Sequence, residues 1–286
     1  MAVASRIYLR GPSLILLVHS CRDVAGVNVA KSVLQRYPFK QTLETYQGSP
    51  VYEAKINGKD ICFVTLNEES VNAQYLPEDF SEAKLVVFIS RHSSLSGKPT
   101  LSVHAPGNFG EAGLGGLPKT LSVAPAGAMQ TALKELDRLR REMSLDYEVC
   151  YEGSHHGPSL NLPVMFVELG SSESQWNDLR AAEAVGEAAM AAITSFSVSV
   201  TAVLGIGGPH YSQKFTQMAL QGEAAFGHMV PKYAVAEVDA AMIAQCLEKT
   251  LEKVSCAVLD WKGIRSQDKP GLLSALKAAK LPFKKV

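Results

Sequence analysis

The stretch Leu85-Val86-Val87-Phe88-Ile89, followed at once by Ser90-Arg91-His92-Ser93-Ser94, decides the fold class. Its five apolar residues are continuous and do not alternate with polar ones, as expected of a strand buried on both faces. Strands of that kind belong to parallel sheets covered by helices on both sides. Runs of similar length recur at 14–18, 61–66, 164–169, 198–206 and 256–259. Helical patterns lie between them. Met129, Leu133, Leu136 and Met143 form one apolar face, and Val238, Met242, Cys246 and Leu247 form another. The Ala-rich stretch 179–193 is a third. This alternation predicts an α/β fold: a mainly parallel or mixed central sheet with flanking helices.

The length of 286 residues suits one large α/β domain covering 1–286, with no internal repeat and no linker to divide it. Hydrophobic residues at 47% and charged residues at 20% give such a domain a substantial core. Lys plus Arg and Asp plus Glu balance at 28 each. A neutral chain has no general attraction for nucleic acid or membrane, so a polyanion must be held by a local patch. The candidates are Arg138, Arg140 and Arg141, then Lys262 and Arg265, then Lys277, Lys280, Lys284 and Lys285. Five dispersed cysteines without a C-x-x-C pattern read as reduced, buried thiols. No run is long enough to span a bilayer and no signal-peptide pattern is seen, so the expected location is the cytoplasm and no membrane is expected as a partner.

The chemistry is concentrated where strands end. His92 follows the run 85–89. His104 opens a Gly- and Pro-rich loop over 104–125. Gly205-Ile206-Gly207-Gly208-Pro209-His210-Tyr211 and Phe226-Gly227-His228 follow or end further apolar runs. Densest of all is Glu152-Gly153-Ser154-His155-His156-Gly157-Pro158. Small residues and proline around paired imidazoles describe a loop whose rings are free to face a ligand. Ligands bind at the carboxyl ends of parallel strands, so these histidines are expected to converge. His104, His155, His156, His210 and His228 supply enough nitrogen donors for a metal, with Glu152 or Glu168 as oxygen donors or supporting partners. No H-x-x-x-H or H-E-x-x-H spacing occurs, and for each lone histidine a hydrogen-bonded loop or core role fits equally well. The backbone of Gly207 and Gly208 suits an oxyanion support and, as readily, a plain turn. A serine nucleophile lacks its G-x-S-x-G elbow, and no cysteine has an evident activating base.

The run from Glu152 to Pro158, with Pro163, Met165-Phe166-Val167-Glu168-Leu169-Gly170-Ser171 and Trp176, resembles the archaeal and plant type of D-aminoacyl-tRNA deacylase. Supporting matches run in family order: Ser90-Arg91-His92, Thr100-Leu101-Ser102-Val103-His104, Gly205-Ile206-Gly207-Gly208, His210-Tyr211, Gly227-His228 and Asp260-Trp261-Lys262-Gly263. Ser154 stands where a Thr is common, and Pro209 where Gly or Ser is frequent.

The resemblance implies a fold of the phosphorylase/peptidyl-tRNA-hydrolase group and an association with Zn2+. It implies hydrolysis of the ester between a D-amino acid and the 3′ end of tRNA, for many D-amino acids, as chiral proofreading by a cytoplasmic monomer. On that basis His155, His156, Glu152 and His104 are the expected catalytic residues. Arg91, His92, Gly207, Gly208, His210 and Tyr211 are expected to meet substrate, and His104, His155, His156 and His210 to bind metal. A nucleoside phosphorylase-like enzyme and a non-catalytic tRNA-binding module stand as alternatives.

Overall fold

The apolar runs become the inner strands of two sheets. The computed structural model describes residues 14–286. The first sheet holds β1 (Leu14–Ser20), β2 (Lys40–Tyr46), β3 (Ser49–Ile56), β4 (Lys59–Leu66), β5 (Leu85–Arg91), β6 (Thr100–His104), β7 (Glu148–Tyr151) and β8 (Val164–Gly170), in the order β2-β3-β4-β1-β5-β8-β6-β7. Its centre, β4-β1-β5-β8, is parallel; β3 runs antiparallel to β4, and β6 runs antiparallel to β8. The second sheet is wholly parallel: β9 (Ala202–Gly207), β10 (Ala225–Val230), β11 (Val254–Asp260) and β12 (Phe283–Lys285), in the order β10-β9-β11-β12. The first sheet is therefore mixed, and the second is not. The run 198–206 forms strand only from Ala202; Val198 and Val200 are solvent-exposed and bury no apolar side chain that would hold them to the sheet.

The helices are α1 (Val24–Arg36), α2 (Leu76–Asp79), α3 (Ala126–Glu142), α4 (Glu173–Trp176), α5 (Leu179–Thr194), α6 (Gln213–Leu220), α7 (Ala240–Glu248) and α8 (Lys269–Ala278). Asp23, Asp178 and Asp239 cap α1, α5 and α7 by accepting from first-turn N–H groups. Met129, Leu133 and Leu136 bury the predicted face of α3, which packs on α5. The opposite face of α3 is self-neutralised. Arg138 pairs with Glu135 and Glu142, while Arg140 and Arg141 both pair with Asp137. Those arginines therefore offer little free charge to a polyanion. One core joins Val87 and Val167 of the first sheet with Val203, Phe226 and Val258 of the second.

Side-chain parity on β8 positions the site. Met165, Val167 and Leu169 enter the core that includes α1, α3 and α5 residues. Phe166 and Glu168 face the other way. Across the register Phe88 pairs with Phe166 and Ser90 with Glu168, while β6 sets Ser102 against Glu168 and His104 against Phe166. This second face is apolar at Phe88 and Phe166, whose rings stack at 4.6 Å, and then turns polar. The polar patch is the floor of the site.

α3 begins after Pro125, which has no side chain to cap it. Glu252, from the loop before β11, supplies the cap. Its two carboxylate oxygens accept from Ala126 N at 2.9 Å and Gly127 N at 2.8 Å. Glu252→Ala is expected to lower stability by about 1–2 kcal/mol in urea unfolding, with Glu252→Gln losing less. An unchanged midpoint in the alanine variant would show that this cap contributes nothing.

Candidate active site

Two buried carboxylates organise the site. Glu168 comes from the polar parity of β8, and Glu152 immediately follows β7, which pairs with β6. His92, just past β5, bridges them: its Nδ1 lies 3.2 Å from Glu152 Oε1 and 3.5 Å from Glu168 Oε2. Gly170 makes room for this ring, since a Cβ there would stand 2.6 Å from His92 Cβ. Ser90 Oγ donates to Glu168 Oε1 at 2.7 Å. His210 Nε2 donates to Glu152 Oε2 at 2.8 Å. His92 Nε2 and the Tyr211 hydroxyl are 2.6 Å apart. Burial opposes protonation of His92, but the Glu168 contact and the Glu152 charge outweigh it and push its pKa up to about 9. Burial likewise works against charge on both carboxylates. The histidines override it and hold both below the usual range, His210 and His92 acting on Glu152 and His104 and His92 on Glu168.

Above the carboxylates lies a layer of imidazoles. The ring centroid of His104 is 4.3 Å from that of His155 and 4.9 Å from that of His156, and His155 is 4.5 Å from His210. Backbone carbonyls fix two tautomers. His155 Nδ1 lies 3.0 Å from Gly153 O and His156 Nδ1 2.6 Å from Gly157 O. A carbonyl can only accept, so Nδ1 carries the proton and each Nε2 keeps its lone pair. Burial and the neighbouring imidazoles push both histidines down, His156 to about 4. His156 takes a left-handed backbone, φ 42°, and Gly157 has no room for a Cβ against Gly115, Gly116 and Val71. The loop 113–116 thus clamps the histidine pair in place.

A cleft of about 700 Å³ opens onto this layer. His92, His155, His156, His210, Tyr211, Glu168 and Arg91 line it, with Phe166, Leu95 and Leu114 as apolar wall. Three groups place one ligand atom from each member within 4.8 Å of the others: His104–His155–His156, Glu152–His155–His210 and His92–Glu152–Glu168. The first suits a borderline metal. Its members are imidazoles, two have free Nε2 lone pairs, and fully buried His104 makes no hydrogen bond of ordinary length, its Nε2 lying 3.6 Å from Glu168 Oε2.

Three expectations come out differently. Gly207 and Gly208 lie outside the cleft lining, against Asp260 and Ile264, with positive φ that serves a turn. His228 is fully buried as a supporting residue. Its Nε2 donates to Ser122 O and Lys249 O at 3.0 and 3.1 Å, and its Nδ1 accepts from Ser154 Oγ at 2.9 Å. Arg91 reaches the cleft, but its guanidinium is committed to Glu69 at 3.0 Å and Arg22 O at 3.1 Å. Sequence reasoning gave Glu168 a place only as an oxygen donor to a metal or as a supporting partner. The signal for more was a carboxylate inside an apolar strand, between Val167 and Leu169.

The proton balance has a direction. His155, His156 and His228 are held below the ordinary 6.5, so their contribution to stability is present above that value and lost as pH falls through it toward 4. His92 is raised, so its contribution is present below 6.5 and lost as pH rises through about 9. Metal-free protein should be most stable between these limits. We expect it to lose at least about 2 kcal/mol in urea unfolding between pH 7.5 and pH 5. A flat profile over that interval would contradict the assignment.

The profile of the D-aminoacyl-tRNA deacylase family matches residues 79–284. The D-aminoacyl-tRNA deacylase of Pyrococcus abyssi is 36% identical over 86% of this chain and 90% of its own length. The crystal structure of a conserved protein of unknown function superposes with a TM-score of 0.85 at 28% identity, covering 95% of both chains. A methylthioadenosine/S-adenosylhomocysteine nucleosidase of Campylobacter jejuni reaches a TM-score of only 0.44 at 10% identity over 65% of this chain, too distant to carry an argument. On the breadth of the profile match and the identity to a relative of similar length, this chain belongs to the D-aminoacyl-tRNA deacylase family.

Proposed function

We propose that this chain hydrolyses the ester joining a D-amino acid to the 3′ end of tRNA, accepting a range of D-amino acids and releasing amino acid and tRNA. The observation that carries the reading is the convergence of His92, His104, His155, His156 and His210 over two buried carboxylates, in a cleft of a chain from this family. The same reading makes the enzyme a cytoplasmic monomer. Among the described residues no helix is long and apolar enough to cross a membrane.

An aminoacyl ester is already activated, so the site must position water, take its proton and stabilise the oxyanion. Neutral His155 and His156 present Nε2 lone pairs that can accept a proton or ligate a metal. Glu152 holds His210 beside them. A cationic His92 donates from Nε2 to the Tyr211 oxygen, which leaves the phenol hydrogen free to point at substrate. Tyr211 is therefore the donor we assign to the developing oxyanion, in place of Gly207 and Gly208. His104, His155 and His156 are the residues that would hold Zn2+, with His210 at the edge of the group. The chemistry a zinc ion supplies when bound is the acidification of water, to a pKa of roughly 7. A phosphorylase reading needs an arginine free to hold phosphate, and Arg91 is already committed. A passive binding module has no use for a buried histidine–carboxylate cluster.

Purified protein is expected to release D-amino acid from D-aminoacyl-tRNA, largely spare the matched L form, and slow after chelation. Equal rates on both enantiomers would overturn the proofreading reading. His155→Ala and His156→Ala should each lower kcat by about 10²-fold or more. Tyr211→Phe should lower kcat by about 10- to 10²-fold with little change in KM, because the lost hydrogen bond acts in the transition state. Near-normal turnover in all three variants, with unchanged circular dichroism, would remove these residues from the chemistry.

A further inference from the structure

A second hollow, of about 360 Å³, lies where the carboxyl ends of β9, β10 and β11 meet, lined by Lys232, Tyr233, Lys262, Gly263, Ile264 and Arg265. Its walls are the loops that leave these three parallel strands, the edge at which such sheets bind ligands. The loops are tied together. Lys232 N donates to Gly208 O at 2.8 Å, and a Cβ on Gly263 would stand 2.7 Å from Gly208 N. The hollow thus has a packed floor beneath its basic rim.

Three observations give it a ligand class. Among the described residues, no carboxylate pairs with Lys232 or Lys262, whereas the arginines of α3 are neutralised by carboxylates of their own helix. Arg265 alone of the three cations is engaged, by Asp268 at 2.6 Å. Tyr233 presents an aromatic ring that is 59% exposed, directly beside Lys232. Its hydroxyl lies 3.2 Å from His210 Nδ1, so one tyrosine–histidine pair forms the wall shared with the active-site cleft. Unpaired cations next to an exposed aromatic ring are the pattern that holds single-stranded nucleic acid, with phosphate on the cations and a base on the ring.

We propose that this hollow is a subsite for the single-stranded acceptor end of the substrate RNA. Lys232 and Lys262 hold a backbone phosphodiester, and Tyr233 stacks an unpaired base as the strand passes into the cleft. The assignment of this RNA end rests on the deacylase reading. It also accounts for how a chain of zero net charge holds a polyanion, with few contacts and a route for release of product.

The test is binding of uncharged tRNA across a salt series, by wild type, by a Lys232→Gln/Lys262→Gln double variant, and by a Lys31→Gln/Lys84→Gln variant that removes two exposed charges elsewhere. The subsite variant should bind at least 10-fold more weakly at low salt. Its slope of log affinity against log salt should be shallower by about 1.4, from two single-strand contacts at roughly 0.7 each. Its kcat/KM on D-aminoacyl-tRNA should fall more than its kcat/KM on a D-aminoacyl ester of adenosine, which carries no phosphate. Unchanged affinity and slope, or equal losses in both variants, would overturn the subsite. A wild type that hydrolyses neither ester, yet loses affinity only through Lys232 and Lys262, would sink the deacylase reading and leave the nucleic-acid subsite standing.

Discussion

Two carboxylates, Glu152 and Glu168, are buried within reach of one imidazole, and the rest of the site follows from that arrangement. No lysine or arginine pairs with either among the described residues. Like charges in a medium of low polarity repel strongly, and a bare buried carboxylate is costly. His92 resolves both problems by carrying a proton between them. That requirement fixes what surrounds it: a glycine at 170 to admit the ring, Ser90 to hold the far oxygen of Glu168, His210 on Glu152 and Tyr211 on the other nitrogen of His92.

The layer above obeys the opposite rule. His155 and His156 are partly desolvated and lie close to other imidazoles, among them His104, which Glu168 favours in its charged form, so a further positive charge there is unfavourable. Carbonyls at 153 and 157 donate nothing and hold Nδ1–H, which leaves the lone pair of each ring on Nε2. One fold thereby keeps a cationic histidine and a pair of neutral ones within a single site. An ester hydrolase needs both: a charged donor network for the oxyanion and unprotonated nitrogen for water or metal.

Much of this was legible in the sequence. The continuous runs at 14–18, 61–66, 85–89, 164–169 and 256–259 lie within β1, β4, β5, β8 and β11. The loop with His155 and His156 does face a cleft, and histidines from separate strand ends do meet there. What stayed hidden depends on register and direction. The reversal of β6 against β8, which sets His104 beside Phe166, leaves no trace in a five-residue strand. The antiparallel β2 and β3 carry mixed polar residues that periodicity does not separate from loop. His228 has the same residue type and a similar strand context to the site histidines, and only its carbonyl partners reveal a supporting role. The α3 arginines looked available because their carboxylate partners sit three and four residues away on the same helix.

The division of protons among the histidines is the central claim, and nitrogen-detected NMR of the imidazole rings across pH tests it most directly. In metal-free protein at pH 7.5, His92 should show both ring nitrogens protonated. His155 and His156 should remain neutral down to pH 6, with the proton on Nδ1. A His92 that is neutral at pH 7, or a His155 and His156 pair that titrates near the ordinary imidazole value, would contradict the account.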